Sequence, residues 1–329
     1  MRTARLHGVA DLRIADEPRP VPGPGESLVR VTAVGLCGSD LHWYAEGGIG
    51  SKRLDRPLVV GHEFAGVVEG GELDGRAVAV DPAVPCEHCP SCLRGYRNLC
   101  PTVGFAGEGE RDGALREYLA WPTELLVPSP DGLTAADGAM LEPLGVAIHA
   151  IDLGHVHLGS RVAVVGCGPV GLLVLQVARL AGATNVVAVE RLPHRREMAR
   201  RLGADQVLSP EDSVEVDADV VFEVAGPDDA VALAVRAARP GGRVVLAGIP
   251  SDDTTSFPAS PARRKGLTLA VARRMNDVYP RAVELVAKKL VDVTTIVTHE
   301  YPLADVAEAF RVADAREGGK VVVNADARD

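Results

Sequence analysis

Positive charge is in short supply in this 329-residue chain. Lys and Arg number 35 against 45 Asp and Glu, a formal net charge of −10. Such a balance argues against a nucleic-acid surface, which needs clustered basic residues to neutralise phosphates. The densest basic stretch, Arg195-Arg196 to Arg200-Arg201, falls in a helical pattern and reads as a solvated helix face. Long apolar runs are missing too: none approaches the ~20 residues that span a bilayer. The opening "MRTARLHGVADLRI" has no continuous apolar stretch of the signal-peptide kind, so a cytoplasmic location is expected. No repeat of solenoid period and no low-complexity tract occurs. A hydrophobic fraction of 47% with 24% charged residues is the composition of a soluble globular protein, and the length calls for two domains of roughly 150 residues.

Cysteine is also sparse, with six in all, yet four of them crowd into "CEHCPSCLRGYRNLC". In a reducing compartment Cys86, Cys89, Cys92 and Cys100 are better read as metal-bound thiolates than as disulfides. Two-residue gaps let neighbouring thiolates fold around one tetrahedral ion, and the longer gap lets the chain return to close it. Four thiolates fill every position, so this zinc is structural and the chemistry lies elsewhere.

Two textures divide the chain. Up to about residue 145, short β-type runs such as "SLVRVTAVG", "AGVVEG" and "RAVAVDP" alternate with Gly/Pro punctuation. From about 158, buried strands alternate with amphipathic helices, which predicts a parallel, doubly wound sheet. The tail returns to mixed texture, ending in the strand "GKVVVNA".

The first strand of the second region leads into "GCGPVG". Gly166 permits a tight turn, Gly168 lets backbone approach a pyrophosphate, and Gly171 lets helix pack on strand. Pro169 and Val170 open the helix, whose N-terminus supplies amide donors to phosphates. Glu190, ending the next strand, can hold both ribose hydroxyls and repel a 2′-phosphate, which favours NAD; Arg191 beside it leaves NADP open. Cys167 reads as a small filler. A nicotinamide enzyme also needs a group to activate alcohol or carbonyl. The first region offers Cys37, His62, Glu63 and Glu142, a donor set suited to a catalytic zinc with an exchangeable position, although spacing alone cannot join residues so far apart.

"GLCGSD", "GHEFAG", the four-cysteine lobe and "LEPLGVAIHA" together resemble the zinc-dependent medium-chain dehydrogenases, and most the sorbitol (polyol, L-iditol) dehydrogenase branch. The resemblance implies an α/β fold: a GroES-like, mostly β catalytic domain over 1–145 and 273–329, with a Rossmann domain over 146–272 inserted. It implies two zinc ions and NAD, a homo-oligomer (dimer or tetramer), and oxidation of a polyol's secondary alcohol to a ketone. Cys37 and His62 match zinc ligands, and Glu63 and Glu142 match two carboxylates of which either can coordinate. Asp40 matches the acid that orients the histidine, Ser39 the hydroxyl at the reacting oxygen, and His42 the histidine at the solvent end of a proton path. An L-threonine or other amino-alcohol dehydrogenase would keep all these motifs and change only the pocket. With aromatics at 4%, Trp43, Tyr44 and Phe105 near the zinc motifs are open to two readings, pocket wall or core. The segment after "GHEFAG" is shorter than the family's, and an arginine at 273 or 274 resembles one near cofactor and substrate.

Overall fold

The computed structural model describes residues 1–212 and 215–326. Within them the N-terminal alternation folds as a β structure. Strand β1 (Glu26–Gly35) buries Val29, Val31 and Ala33 on one face, the period-2 pattern of a sheet with one face on a core. Helix α1 (Gly38–Glu46) follows at once, and then β2 (Glu63–Glu69), β3 (Ala77–Val80), β4 (Tyr118–Pro122) and β5 (Leu126–Pro128). Helix α2 (Leu141–Gly154) leads into the second texture.

There the order is β6 (Arg161–Val165), α3 (Pro169–Leu180), β7 (Asn185–Val189), α4 (Pro193–Arg201), β8 (Gln206–Leu208), β9 (Ala218–Glu223), α5 (Asp228–Ala237), β10 (Ala238–Leu246) and β11 (Thr268–Val271). These strands form one six-stranded sheet in the spatial order β8-β7-β6-β9-β10-β11, with every pair parallel. The order reverses between β6 and β9. That is the topological switch point, where the carboxyl ends of adjacent strands diverge and leave a crevice for a ligand.

The tail contributes β12 (Val297–Pro302), α6 (Val306–Asp314) and β13 (Lys320–Asn324). Strand β13 joins the first sheet beside β1, giving β5-β3-β2-β1-β13-β12 with β4 also paired to β1. The described chain thus divides into two compact units. One holds Met1–Glu142, Tyr279–Ala287 and the segment from Val297 onward; the other holds Pro143–Val278 and Lys288–Ile296. The core of the first unit draws on both chain ends. Phe64, Leu115 and Trp121 pack in one cluster with Leu303, Phe310 and Val321. Burying each large side chain of this kind contributes about 1.5–3 kcal/mol, so the tail is tied to the sheet by its core residues as well as by its ladder. Among the described residues, no helix is long and apolar enough to cross a membrane.

Candidate active site and metal centres

Four-cysteine spacing becomes geometry in the lobe after β3. The sulfurs of Cys86, Cys89, Cys92 and Cys100 lie within 4.8 Å of one another, and none of the cysteines is in a disulfide. Backbone N–H groups point at the sulfurs: Cys86 N donates to Cys100 Sγ at 3.4 Å and Cys89 N to Cys86 Sγ at 3.3 Å. Such donors favour the thiolate form. The His88 and Cys89 amides, the first the stronger, lower the Cys86 pKa to about 6, whereas desolvation and the neighbouring sulfurs push Cys92 up to about 12. Four sulfurs this close cannot all ionise unaided, and a dication removes the conflict, so the donor chemistry fits zinc. Glu87 and His88 are exposed, as expected of residues between ligands.

The second cluster assembles on the first sheet. Register places Glu63 opposite Gly35, at the β1–β2 edge next to β13. A Cβ at position 35 would stand 2.3 Å from Glu63 Oε2, so only glycine admits the carboxylate there. Chain entry into α1 puts Cys37 at the helix N-terminus, where its N–H donates to Asp40 Oδ2 at 3.0 Å. The other Asp40 oxygen accepts Gly61 N–H at 3.0 Å and lies 3.4 Å from His62 Nδ1. Asp40 thereby joins the Cys37 segment to the His62 segment and turns the imidazole so that Nε2 is left free for another partner. Ser39 Oγ lies 3.4 Å from that Nε2.

Donor atoms of Cys37, His62 and Glu63 lie within 4.8 Å of one another. His62 and Glu63 are buried, and Glu63 Oε1 is a buried oxygen with no hydrogen-bond partner. Burial alone would neutralise His62, yet the Asp40 carboxylate and the Cys37 sulfur hold its pKa above the ordinary value. A half-buried thiol with a buried imidazole and a buried carboxylate, one of whose oxygens has no partner, fits a divalent zinc that keeps a position for substrate. Glu142 stands outside this trio. It lies in the first turn of α2, where the following Pro143 is tolerated because early helix N–H groups have no intrahelical partner. Its carboxyl is pushed up to about 7 by burial; His62 opposes that rise and Glu63 adds to it.

Lys320 was not anticipated. Its Nζ donates to Glu63 Oε2 at 2.5 Å and to Leu36 O at 3.0 Å, and the residue is buried. The only hint in sequence is a lysine opening the apolar run "VVV". Of the aromatic residues, Phe105 packs on His62 with ring centroids 5.2 Å apart. Trp43 is 3% exposed in the core and Tyr44 stacks on Phe310 at 4.9 Å, so for these two the core reading holds. His42 Nδ1 pairs with Glu46 Oε1 at 3.0 Å, one turn further along α1.

The glycine-rich turn lies between β6 and α3. Gly166 has φ 94, and a Cβ on Gly171 would meet Gly166 O at 1.9 Å. Around Gly168 there is space: a Cβ there would meet only Arg195 Nη1, at 3.6 Å, so a phosphate can approach the backbone at the start of α3. Pro169 and Val170 are the first two residues of that helix. Glu190 follows β7, with its carboxylate accepting Cys167 N–H at 2.8 Å and Leu192 N–H at 2.9 Å. It therefore holds the turn in place. Arg191 is exposed, and Arg196 donates to its carbonyl at 2.7 Å. Cys167 is buried, and burial followed by the Glu190 charge raises its pKa, which suits an inert filler. Glu223, at the end of β9, is a further buried acid; it accepts N–H bonds from Ala225 at 2.7 Å and Gly226 at 2.6 Å and shapes the facing loop of the crevice.

Comparison with known proteins agrees with both halves. Residues 23–131 match the alcohol dehydrogenase GroES-like domain, and residues 169–288 match the zinc-binding dehydrogenase family. Sorbitol dehydrogenase of Macaca fascicularis is 36% identical, over 98% of this chain and 96% of that protein. The chain belongs to the zinc-dependent medium-chain dehydrogenases, in the sorbitol dehydrogenase branch. Among solved structures, L-idonate 5-dehydrogenase from Escherichia coli K-12 is similar with a TM-score of 0.89 at 29% identity, covering 98% of this chain and 97% of that one. An alcohol dehydrogenase from Escherichia coli CFT073, complexed with NADH, gives a TM-score of 0.88 at 28% identity, covering 98% and 99%. Zinc and NAD are the cofactors that the donor sets and the glycine-rich turn of this family member fit.

Proposed function

We propose that the protein oxidises a secondary alcohol of a polyol to a ketone, passing hydride to NAD. The observation that carries this reading is the close trio of Cys37, His62 and Glu63 donors, which among the described residues gathers no fourth ligand of these types within the same radius. When bound, zinc supplies a Lewis acid that acidifies an alcohol, and NAD supplies the hydride acceptor. The chain's own residues then position and deprotonate. Asp40 orients His62, Lys320 holds one Glu63 oxygen, and Ser39, close to His62 Nε2, takes the proton and hands it toward His42 at the outer side of α1. Glu142, buried and raised toward neutrality, is an alternative carboxylate for the metal. The turn that Gly166 and Gly171 allow, with the open backbone at Gly168, takes the pyrophosphate, and Glu190 the ribose.

Relatives named for sorbitol and for L-idonate support a polyol or polyol-derived substrate. The protein works in the cytoplasm as a homo-oligomer, and the unpaired outer edge of β11, where Val271 is 75% exposed, supports such assembly. The test is a panel of sorbitol, xylitol, cyclitols and L-threonine with NAD and with NADP, read at the reduced-nicotinamide band. Polyol turnover with NAD is expected, and turnover of threonine alone would move the chain to the amino-alcohol dehydrogenases.

A further inference from the structure

Apart from the metal and dinucleotide sites, a cavity of about 560 Å³ is lined by Lys52, Phe105, Glu108, Arg111, Arg116 and Trp121. Its charges are unequally matched. Lys52 is paired with Glu108, and both oxygens of neighbouring Asp112 are taken by Arg5, at 3.0 and 2.9 Å. Arg111 and Arg116 are left over. Neither guanidinium makes a hydrogen bond or ion pair among the described residues. Arg111 is nonetheless held in place: its Cζ lies 5.1 Å from the Trp121 ring centroid, and a Cβ on Gly104 would stand 2.7 Å from its Nε. Arg116 Nε is closed off from solvent without a partner. Burial lowers the Arg116 pKa; Asp112 and Glu17 attract its charge at a distance and Arg5 repels it. Glu110, the remaining acid on the wall, is exposed.

A half-buried guanidinium with one nitrogen shut off from water is costly unless something neutralises it, and its planar fork matches the oxygens of a carboxylate or phosphate. We propose that this cavity is an oxyanion site, in which Arg111 and Arg116 hold a carboxylate or phosphate group. The stack of Arg111 on Trp121 pre-orients one fork, so little side-chain freedom is lost on binding. Phe105 is common to this cavity and to the metal centre, since its ring packs on His62. The cavity and the metal centre thus share a wall residue, and the anionic group is borne either by the substrate, as in a polyol phosphate or a sugar acid, or by a separate small anion. The first source rests on the polyol reading above; the second does not.

The test uses the full-length, zinc-loaded protein. Inorganic phosphate is titrated into the parent, Arg111→Met and Arg116→Met, with chloride at equal ionic strength as control, and thermal stability is followed. Saturable stabilisation of the parent is expected, with apparent affinity at least ~10-fold weaker in either variant. Arg116→Met removes an unpaired, half-buried charge, so without phosphate it should melt at or above the parent temperature, and a lost response cannot then be put down to misfolding. The source is read from kcat/KM for a polyol phosphate and an aldonate relative to the matching neutral polyol. A ratio that falls ~10-fold in Arg116→Met assigns the anion to the substrate. An unchanged ratio with phosphate binding lost assigns it to a separate molecule. If phosphate has no effect on the parent, or acts equally on parent and variants, the site does not exist. If no polyol of either kind is oxidised, the polyol reading fails while the phosphate titration still decides about the cavity.

Discussion

Lys320 and Glu63 form a closed ion pair across the β13–β1–β2 edge: Nζ and Oε2 are 2.5 Å apart and both side chains are buried. Removing one partner strands the other. Lys320→Met in the metal-free protein should lower the unfolding free energy by about 3–5 kcal/mol, the usual cost of breaking a buried pair. Urea unfolding measures it, and Glu63→Gln added to Lys320→Met should recover part of the loss. A change below about 1 kcal/mol would mean that water already solvates this pair.

Cofactor choice should turn on Glu190. Its oxygens accept the Cys167 and Leu192 N–H groups at the glycine-rich turn, where the ribose is proposed to lie. The parent should prefer NAD clearly. In Glu190→Ser the repulsion of a 2′-phosphate disappears while Arg191 remains, so the NAD/NADP ratio of kcat/KM should drop by at least ~10-fold, a shift of about 1.4 kcal/mol. Equal use of both cofactors by the parent would remove Glu190 from this role.

The proton path gives a graded expectation. Ser39 lies 3.4 Å from His62 Nε2, whereas His42 is tied to Glu46 on the outer part of α1. Ser39→Ala should cost ~10²–10⁴-fold in kcat, the usual range for a general acid–base group. His42→Ala should cost less and be restored in part by added imidazole, because buffer can replace a group at an exit. Imidazole rescue of Ser39→Ala, or none for His42→Ala, would reverse the assigned order.

Acid stability should depend on Asp219 in the second unit. Its carboxylate accepts Arg161 N–H at 2.8 Å and Arg239 Nε–H at 2.6 Å. Partial burial raises its pKa, but these two partners more than offset that and hold it below the ordinary 3.8. The folded state binds this proton less readily than the unfolded chain. The stabilisation is therefore complete above pH 3.8 and lost as pH falls through the lower folded value. Asp219→Asn should melt below the parent at neutral pH, and the two curves should converge in strong acid. A constant gap down to the lowest pH would show that packing, not charge, is responsible.

What could be read from sequence follows from how locally each feature is encoded. The four-cysteine lobe and the glycine-rich turn each complete their geometry within about fifteen residues, so spacing sufficed for both. The strand–helix alternation likewise predicts the parallel sheet, because each buried strand declares itself in four or five apolar residues. The Glu63–Lys320 pair spans 257 positions and depends on β13 joining β1, which no local pattern reveals. Nor could spacing tell that Trp43 points into the core while Phe105, far along the chain, meets His62. The cavity arginines escaped notice for the same reason. In sequence acids stand close to them, and only the fold shows that Arg5 has taken Asp112, Lys52 Glu108 and Arg2 Glu117.

The most direct test of the account is zinc content measured together with NADH formation from a polyol, in the parent, Cys37→Ala and Cys89→Ala. The account predicts two zinc ions per chain in the parent. Cys37→Ala should keep the structural zinc and the parent's melting temperature but form no NADH. Cys89→Ala should lose the structural zinc and melt at a clearly lower temperature, since structural zinc contributes folding free energy directly. A parent holding one zinc ion or none, or a Cys37→Ala protein that still reduces NAD at the parental rate, would contradict it.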